Sequence, residues 1–166
     1  MRLEFVKAFV DITQSVCAEA LGTDVMIGEL SLESSPRIDG AVVTYIELTG
    51  DVVGKILLHM KISTAMAIAQ RMLGRSSISN SLVTSSIAEL TSMAIGRAIS
   101  WINDQNCYVQ ISPPVVTIDA QSQPASIEIE TLVFPLKTIY GDAILNISFV
   151  DLSYSTAGNA VEEWRT

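Results

Sequence analysis

Residues 41–60, AVVTYIELTGDVVGKILLHM, contain two runs rich in β-branched residues that are separated only by TGD. Such runs favour strands, and a short break that contains glycine is typical of the turn of a hairpin. The segment therefore predicts two antiparallel strands with the turn near Gly50. The remaining elements have to be arranged around this hairpin.

Three other segments have the spacing of helices. In the first, the apolar residues recur every three or four positions, and Gly22 follows as a stop signal: Phe5, Phe9, Ile12, Val16 and Ala20. Residues 63–74, STAMAIAQRMLG, predict a short helix with a Ser or Thr cap that ends at Gly74. Residues 81–103 form the longest helical pattern, with Asn80 or Ser81 as the expected cap.

Further strands are predicted on both sides of the helices. Residues 24–32 are consistent with a strand, ESSPRIDG at 33–40 is a loop by composition, and the chain returns to β-favouring residues after Asn106. The expected later strands are 108–111, 115–118, 127–134 and 143–150, with breaks or edges at Pro113, Pro114, Pro124 and Pro135. The order predicts an α+β fold, an antiparallel sheet packed against long helices. Residues 1–150 are expected to form a single domain, and 151–166 a polar C-terminal tail.

Composition excludes several functions. The 166 residues include 10 Lys and Arg against 18 Asp and Glu, a net charge of -8 that disfavours nucleic acid and anionic membranes as partners. There is no run of about 20 apolar residues and no secretory h-region, so we expect a cytoplasmic protein without a membrane span. Two distant cysteines and one histidine give no metal signature.

Two local features have simple structural explanations. GDVVGK resembles a phosphate-binding loop, but Gly50 and Gly54 are separated by three residues rather than four, and Ile56 follows Lys55 where Ser or Thr is needed. The hairpin explains both glycines. His59 alternates with Leu58 and Met60 along a strand, and a structural or solvent-facing position is expected for it.

The long helix is more informative about function. Its predicted core face is Val83, Ile87, Leu90, Ala94, Ala98 and Trp101. The opposite side carries four residues that fall within about 60° of one another, which we call the small face: Ser85, Glu89, Ser92 and Gly96. Small side chains let another backbone approach closely. Periodicity alone leaves two alternatives open, packing within the chain and docking of a partner.

Several stretches together resemble one known family. ELTGDVVGKILL, the MLG that ends the short helix, ELTSMAIG and ISPPVVTID occur in this order between about Arg2 and Val150. The chain is similar to the CheC/CheX/FliY chemotaxis phosphatases, and most of all to the CheX type. The resemblance implies a CheC-like fold, one CheX-like domain over 1–150, and a homodimer joined through its sheets.

The resemblance also implies roles on the long helix. The family carries Asp/Ser-x-x-x-Glu-x-x-Asn, in which the glutamate engages a conserved lysine of a phosphorylated CheY-like receiver domain. The asparagine positions a water for in-line attack on the aspartyl phosphate. Ser85 and Glu89 match the first two positions, and Ser92 stands where the family has asparagine. The implied site is therefore Glu89 and Ser92 for catalysis, and all four small-face residues for partner binding.

Ser92 leaves the function open between two classes. A serine hydroxyl can bind a water but reaches less far than an asparagine amide. One hypothesis is a phosphatase of a response regulator, which has no cofactor of its own because the Mg²⁺ belongs to the receiver. The alternative is a catalytically impaired relative that acts as a dimeric receiver-binding module. A third possibility is a structural dimer without a receiver partner.

Overall fold

The computed structural model describes residues 3–37, 41–118 and 130–152. The elements in chain order are α1 Leu3–Leu21, β1 Met26–Ile27, β2 Ser31–Glu33, β3 Val42–Gly50, β4 Val52–Met60, α2 Ile62–Leu73, α3 Asn80–Asn103, β5 Val109–Ile111, β6 Val115–Ile118, β7 Thr131–Thr138 and β8 Gly141–Asp151. The α+β class predicted from the sequence is confirmed. Helices and strands are segregated, as in other folds that pack helices against an antiparallel sheet.

The strands form one antiparallel sheet in the order β1-β7-β8-β4-β3-β5, with β2 also on β7 and β6 also on β3. The predicted hairpin is its centre: Val42 pairs with Met60 and Leu48 with Gly54 across β3 and β4. The turn lies at Gly50, whose φ of 110° is accessible to glycine but strained for other residues. Lys55 is inside β4 and no helix follows Gly54, so the segment is not a phosphate-binding loop.

The core lies between the sheet and the three helices. Phe149 of β8 contacts both Phe5 and Phe9 of α1, with ring centroids 6.4 and 6.2 Å apart. Those three aromatic side chains are buried and fix α1 over the middle of the sheet. α3 contacts β3, β5 and β6, whereas α2 contacts β8. The longest helix therefore covers the β5/β6 side of the sheet, with its outer side away from the strands.

Several element boundaries differ from the sequence-based expectations. The single strand expected over 24–32 is two short strands, β1 and β2, separated by residues 28–30. Ser79, rather than Asn80 or Ser81, caps α3 by accepting a hydrogen bond from the Leu82 amide. The cap position of α2 is Lys61, which makes no side-chain capping bond, although the helix ends at Gly74 as predicted.

Pro135 lies inside β7 rather than between two strands, and it marks a break in pairing, where the neighbour of β7 changes from β2 to β1. Its carbonyl accepts a hydrogen bond from the Gly28 amide, in the gap between β1 and β2. Gly28 is opposite Pro135 in the β1–β7 register, and the proline has no N–H for the reciprocal bond, so the β1–β7 ladder ends here. Pro113 and Pro114 do separate β5 from β6 as expected. Pro124, residues 127–129 of the expected strand and residues 153–166 of the tail lie outside the described residues.

Candidate functional site

α3 presents the candidate site on its outer side. One broad inner face of this 24-residue helix is buried, because both the sheet and the other two helices cover it. Five of the six residues of the predicted core face are buried, and Trp101 is an exception because it is half-buried at the margin of the core. The inner face is wider than predicted and also takes in Ser86, Thr91, Ile95, Ile99 and Ile102.

The small face lies away from this core. Ser85 and Glu89 are exposed, whereas Ser92 and Gly96 are half-buried. The four residues span eleven positions, a length of about 16 Å along the helix. The structure therefore keeps the four predicted residues together on one outer strip of α3.

Glu89 is the one acidic residue of this helix. It is exposed, as predicted, and within the described residues it makes no ion pair. Its carboxylate is therefore hydrated and available to a cation from outside the chain. A carboxylate in this state needs little reorganisation before it binds a lysine.

Ser92 lies one turn beyond Glu89, at a spacing that puts Cβ atoms about 5–6 Å apart. Its neighbour Thr91 is buried, and the Thr91 hydroxyl donates to the Ile87 carbonyl at 2.7 Å. Thr91 thus belongs to the core side, while Ser92 is at the border between core and solvent. A short hydroxyl at this border can hold a water but projects little beyond the helix surface.

Gly96 distinguishes between the two alternatives for the small face. A methyl group added to Gly96 would meet no heavy atom within 4 Å in the rest of the fold. Gly96 also has no positive φ, since it is regular helix. Packing within the chain therefore does not require a glycine here, although glycine in a helix costs about 0.5–1 kcal/mol relative to alanine.

One ionic contact near this face had no signal in the sequence. Nη1 of Arg97 on α3 donates to Oε2 of Glu19 on α1 at 2.9 Å. The two residues are 78 positions apart, and only the packing of α1 against α3 brings them together. The side chains are 53% and 65% exposed, so the contact is on the surface.

The other predicted features take positions away from α3. His59 is 2% exposed, so the structural alternative holds rather than the solvent-facing one. It lines a cavity of about 440 Å³ together with Lys61, Thr64 and Asp142. Over the described ranges, no group of His, Cys, Asp and Glu is arranged to hold a metal ion. No helix in the described part of the chain is long and apolar enough to cross a membrane.

Comparison with solved structures places this fold among chemotaxis proteins. A CheC-like superfamily protein from Shewanella sp. PV-4 matches 90% of this chain and 99% of its own, with 24% identity and a TM-score of 0.78. CheX in the CheX–CheY–BeF3–Mg²⁺ complex from Borrelia burgdorferi matches 89% of this chain and 99% of its own, with 20% identity and a TM-score of 0.79. FliY from Thermotoga maritima matches 95% of this chain and 96% of its own, with 19% identity and a TM-score of 0.63. The CheC-like fold is thereby confirmed.

The sequence itself identifies the family. The family model of the chemotaxis phosphatase CheX matches residues 42–134, more than half of the chain. The chain belongs to the CheX family, as its motifs predicted. No curated protein matches it significantly.

Proposed function

We propose that this chain docks the small face of α3 on a phosphorylated CheY-like receiver domain and promotes hydrolysis of its aspartyl phosphate. The observation that carries the proposal is Glu89, an exposed carboxylate without an ion pair in the described part of the chain, on an otherwise uncharged strip. Membership of the CheX family supports the same partner, because a CheX of that family is known in complex with CheY.

In this proposal the chain contributes position rather than a chemical group of its own. Glu89 binds the conserved lysine of the receiver, and Ser85 and Gly96 let the receiver backbone approach α3. The Mg²⁺ is held by the receiver and stabilises the charge on the phosphoryl group. The chain has no cofactor of its own, and it acts in the cytoplasm, where its partner is found.

The reaction is a transfer of the phosphoryl group to water. The water oxygen attacks phosphorus in line, the bond between phosphorus and the aspartyl oxygen breaks, and the aspartate carboxylate leaves. Ser92 is the residue of this chain next to the attacking water. Orientation of a reactant can lower such a barrier by several kcal/mol, so the reach of this side chain determines how much the chain accelerates hydrolysis.

A second candidate function is a receiver-binding module without hydrolysis, and Ser92 itself favours it. Its hydroxyl is half-buried and shorter than the amide that the family pattern has at this position. Such a protein would sequester or report the phosphorylated receiver. The third possibility, a purely structural dimer, is less consistent with an exposed Glu89 that makes no ion pair within the described residues, and with the open space at Gly96.

A homodimer joined through the sheets is part of the proposal. β6 pairs with β3 on one side, and within the described ranges no strand covers its other side. Val115 on this edge strand is 57% exposed. An uncovered apolar edge favours pairing with a second copy. Sedimentation that gives a monomer at micromolar concentration would contradict this part of the proposal.

A dephosphorylation assay tests the proposed function. Receivers encoded in the same genome are phosphorylated, and the decay of the aspartyl phosphate is followed with and without this chain. The proposal predicts that the chain accelerates the decay of one phosphorylated receiver, and that the Glu89→Ala variant accelerates it less than the wild type does. Tight binding without acceleration would favour the second candidate, and no binding to any receiver would leave the structural dimer.

A further inference from the structure

α3 carries only two charged residues, Glu89 and Arg97. Arg97 lies eight positions beyond Glu89, a displacement of about 12 Å along the axis. Arg97 stands at the edge of the outer side of α3, beside α1, where Glu19 accepts a hydrogen bond from its Nη1. The helix therefore presents a negative group at one point of its outer side and a positive group at another.

The contact with Glu19 uses a small part of what the guanidinium offers. An arginine has five N–H donors in a planar fork, and in the described part of the chain Arg97 makes one hydrogen bond. The side chain is 53% exposed, so part of the guanidinium is accessible to solvent. Glu19 thus accepts one hydrogen bond from the guanidinium and leaves its other N–H donors available to an incoming group.

The fold gains little from this pair. Exposed ion pairs contribute little to stability, since water and salt screen them and two long side chains lose freedom. The arrangement is better suited to recognition, in which a planar fork held in one orientation binds a carboxylate through two parallel hydrogen bonds.

We propose that Arg97, oriented by Glu19, is a second contact of the docking surface and binds a carboxylate of the receiver near its phosphoryl pocket. This inference rests on the function proposed above. The chain has a net charge of -8, and a phosphorylated partner is itself anionic at this pocket, so their approach is opposed by repulsion. A cation on α3 offsets that repulsion, and together with Glu89 it admits the partner in one orientation.

A charge exchange between the two helices tests the proposal. Arg97→Glu places two carboxylates side by side, whereas the double variant Glu19→Arg, Arg97→Glu restores an ion pair with its polarity reversed. The probe is the receiver loaded with beryllofluoride and Mg²⁺, and the readouts are the association rate, the Kd and the thermal midpoint of each variant. We expect Arg97→Glu to weaken binding roughly 5- to 10-fold, mainly because association becomes slower. Added salt should slow the association of this variant less than that of the wild type, because the attraction that salt screens has been removed.

The double variant distinguishes recognition from a structural role. If Arg97 contacts the receiver, the double variant recovers the thermal midpoint but not the affinity. Recovery of both, or an unchanged affinity in Arg97→Glu, would overturn the inference. Glu89→Gln serves as the control for the proposed function. If Glu89→Gln weakens binding and Arg97→Glu does not, the proposed docking face stands and Arg97 is excluded from it. If neither change affects binding, both proposals are contradicted.

Discussion

Ser92 follows Glu89 by one turn on the outer side of α3, yet Glu89 is exposed while Ser92 is half-buried. The anchor of the proposed site therefore projects into solvent, and the residue next to the reacting water is recessed. A change at position 92 can therefore alter hydrolysis while the Glu89 anchor is retained.

Lengthening the side chain at position 92 should raise hydrolysis. In Ser92→Asn, the added amide supplies a donor and an acceptor on a longer arm, and orienting a water is worth about 10²-fold in rate, the same order as other single oriented groups. Stability should change by less than about 0.5 kcal/mol, since the change is polar and near the surface. The decay rate of the phosphorylated receiver is measured.

Ser63→Asn is the matched control, because Ser63 is an exposed serine of a different helix, α2. It should leave the decay rate unchanged. A Ser92→Asn protein that binds the receiver without altering its phosphoryl half-life would show that the catalytic analogy is wrong. Loss of a substantial wild-type activity in Ser92→Ala would instead identify the serine hydroxyl as the working group.

Gly96→Ala should separate stability from docking. The added methyl group meets open space within the fold, so the free energy of unfolding should rise by about 0.5–1 kcal/mol through helix propensity. Affinity for the receiver should nevertheless fall, because the methyl group occupies the space needed for close approach. Denaturant unfolding and a binding titration measure the two effects. An unchanged Kd would exclude Gly96 from the docking surface, and Ser15→Ala, at an exposed position inside α1, controls for propensity alone.

Gly54→Ala should destabilise the sheet. A methyl group at Gly54 would collide with the Ser148 carbonyl oxygen and lie 2.6 Å from Cα of Phe149, which is backbone that cannot move aside easily. The resulting shift should cost about 1–3 kcal/mol. Val53→Ala, at an exposed neighbour, is the control with an expected loss below about 1 kcal/mol. Equal stability of the two variants in urea would contradict this close packing.

Alkaline pH should weaken the fold partly through Cys17. Burial raises the pKa of its thiol from 9.0 to about 11, which favours the neutral form in the folded state. The stability from this group is fully present below the unfolded pKa and is lost as pH rises from about 9 to 11. The loss is on the order of 1–3 kcal/mol.

The test compares the unfolding free energy of wild type and Cys17→Ala across this pH range. The wild type should lose more stability than the variant, while Tyr45, whose pKa is raised to about 12 by burial and by its hydrogen bond to Glu47, contributes equally to both. Parallel pH profiles would show that the thiol does not titrate with unfolding.

The sequence predicted those features that depend on local patterns. The hairpin around Gly50, the helix ended by Gly74 and the outer position of Glu89 follow from strand-forming runs, stop signals and helical periodicity. A break or edge was expected at Pro135, but its position inside β7, opposite the gap between β1 and β2, could not be predicted because it depends on the pairing of distant segments. The contact of Arg97 with Glu19 could not be predicted for the same reason.

For the small face of α3, the sequence predicted which residues share one side of the helix but not how deeply each is buried. Periodicity gave the four residues of the small face, but it could not distinguish exposed Ser85 and Glu89 from half-buried Ser92 and Gly96. That difference arises because α3 is covered from two directions, by the strands on one side and by α1 and α2 on the other. Trp101 is only half-buried for a related reason, since it lies at the margin of this covering.

A double-mutant cycle between Glu89 and the conserved lysine of the receiver tests the central claim most directly. The Kd is measured for the four combinations of wild type and Glu89→Gln with wild-type and lysine-to-methionine receiver, each loaded with beryllofluoride and Mg²⁺. A direct contact predicts a coupling energy of about 1–3 kcal/mol, as for other hydrogen bonds to charged groups. Effects that add to within about 0.5 kcal/mol would show that Glu89 does not contact this lysine, and the proposed docking face would then be wrong.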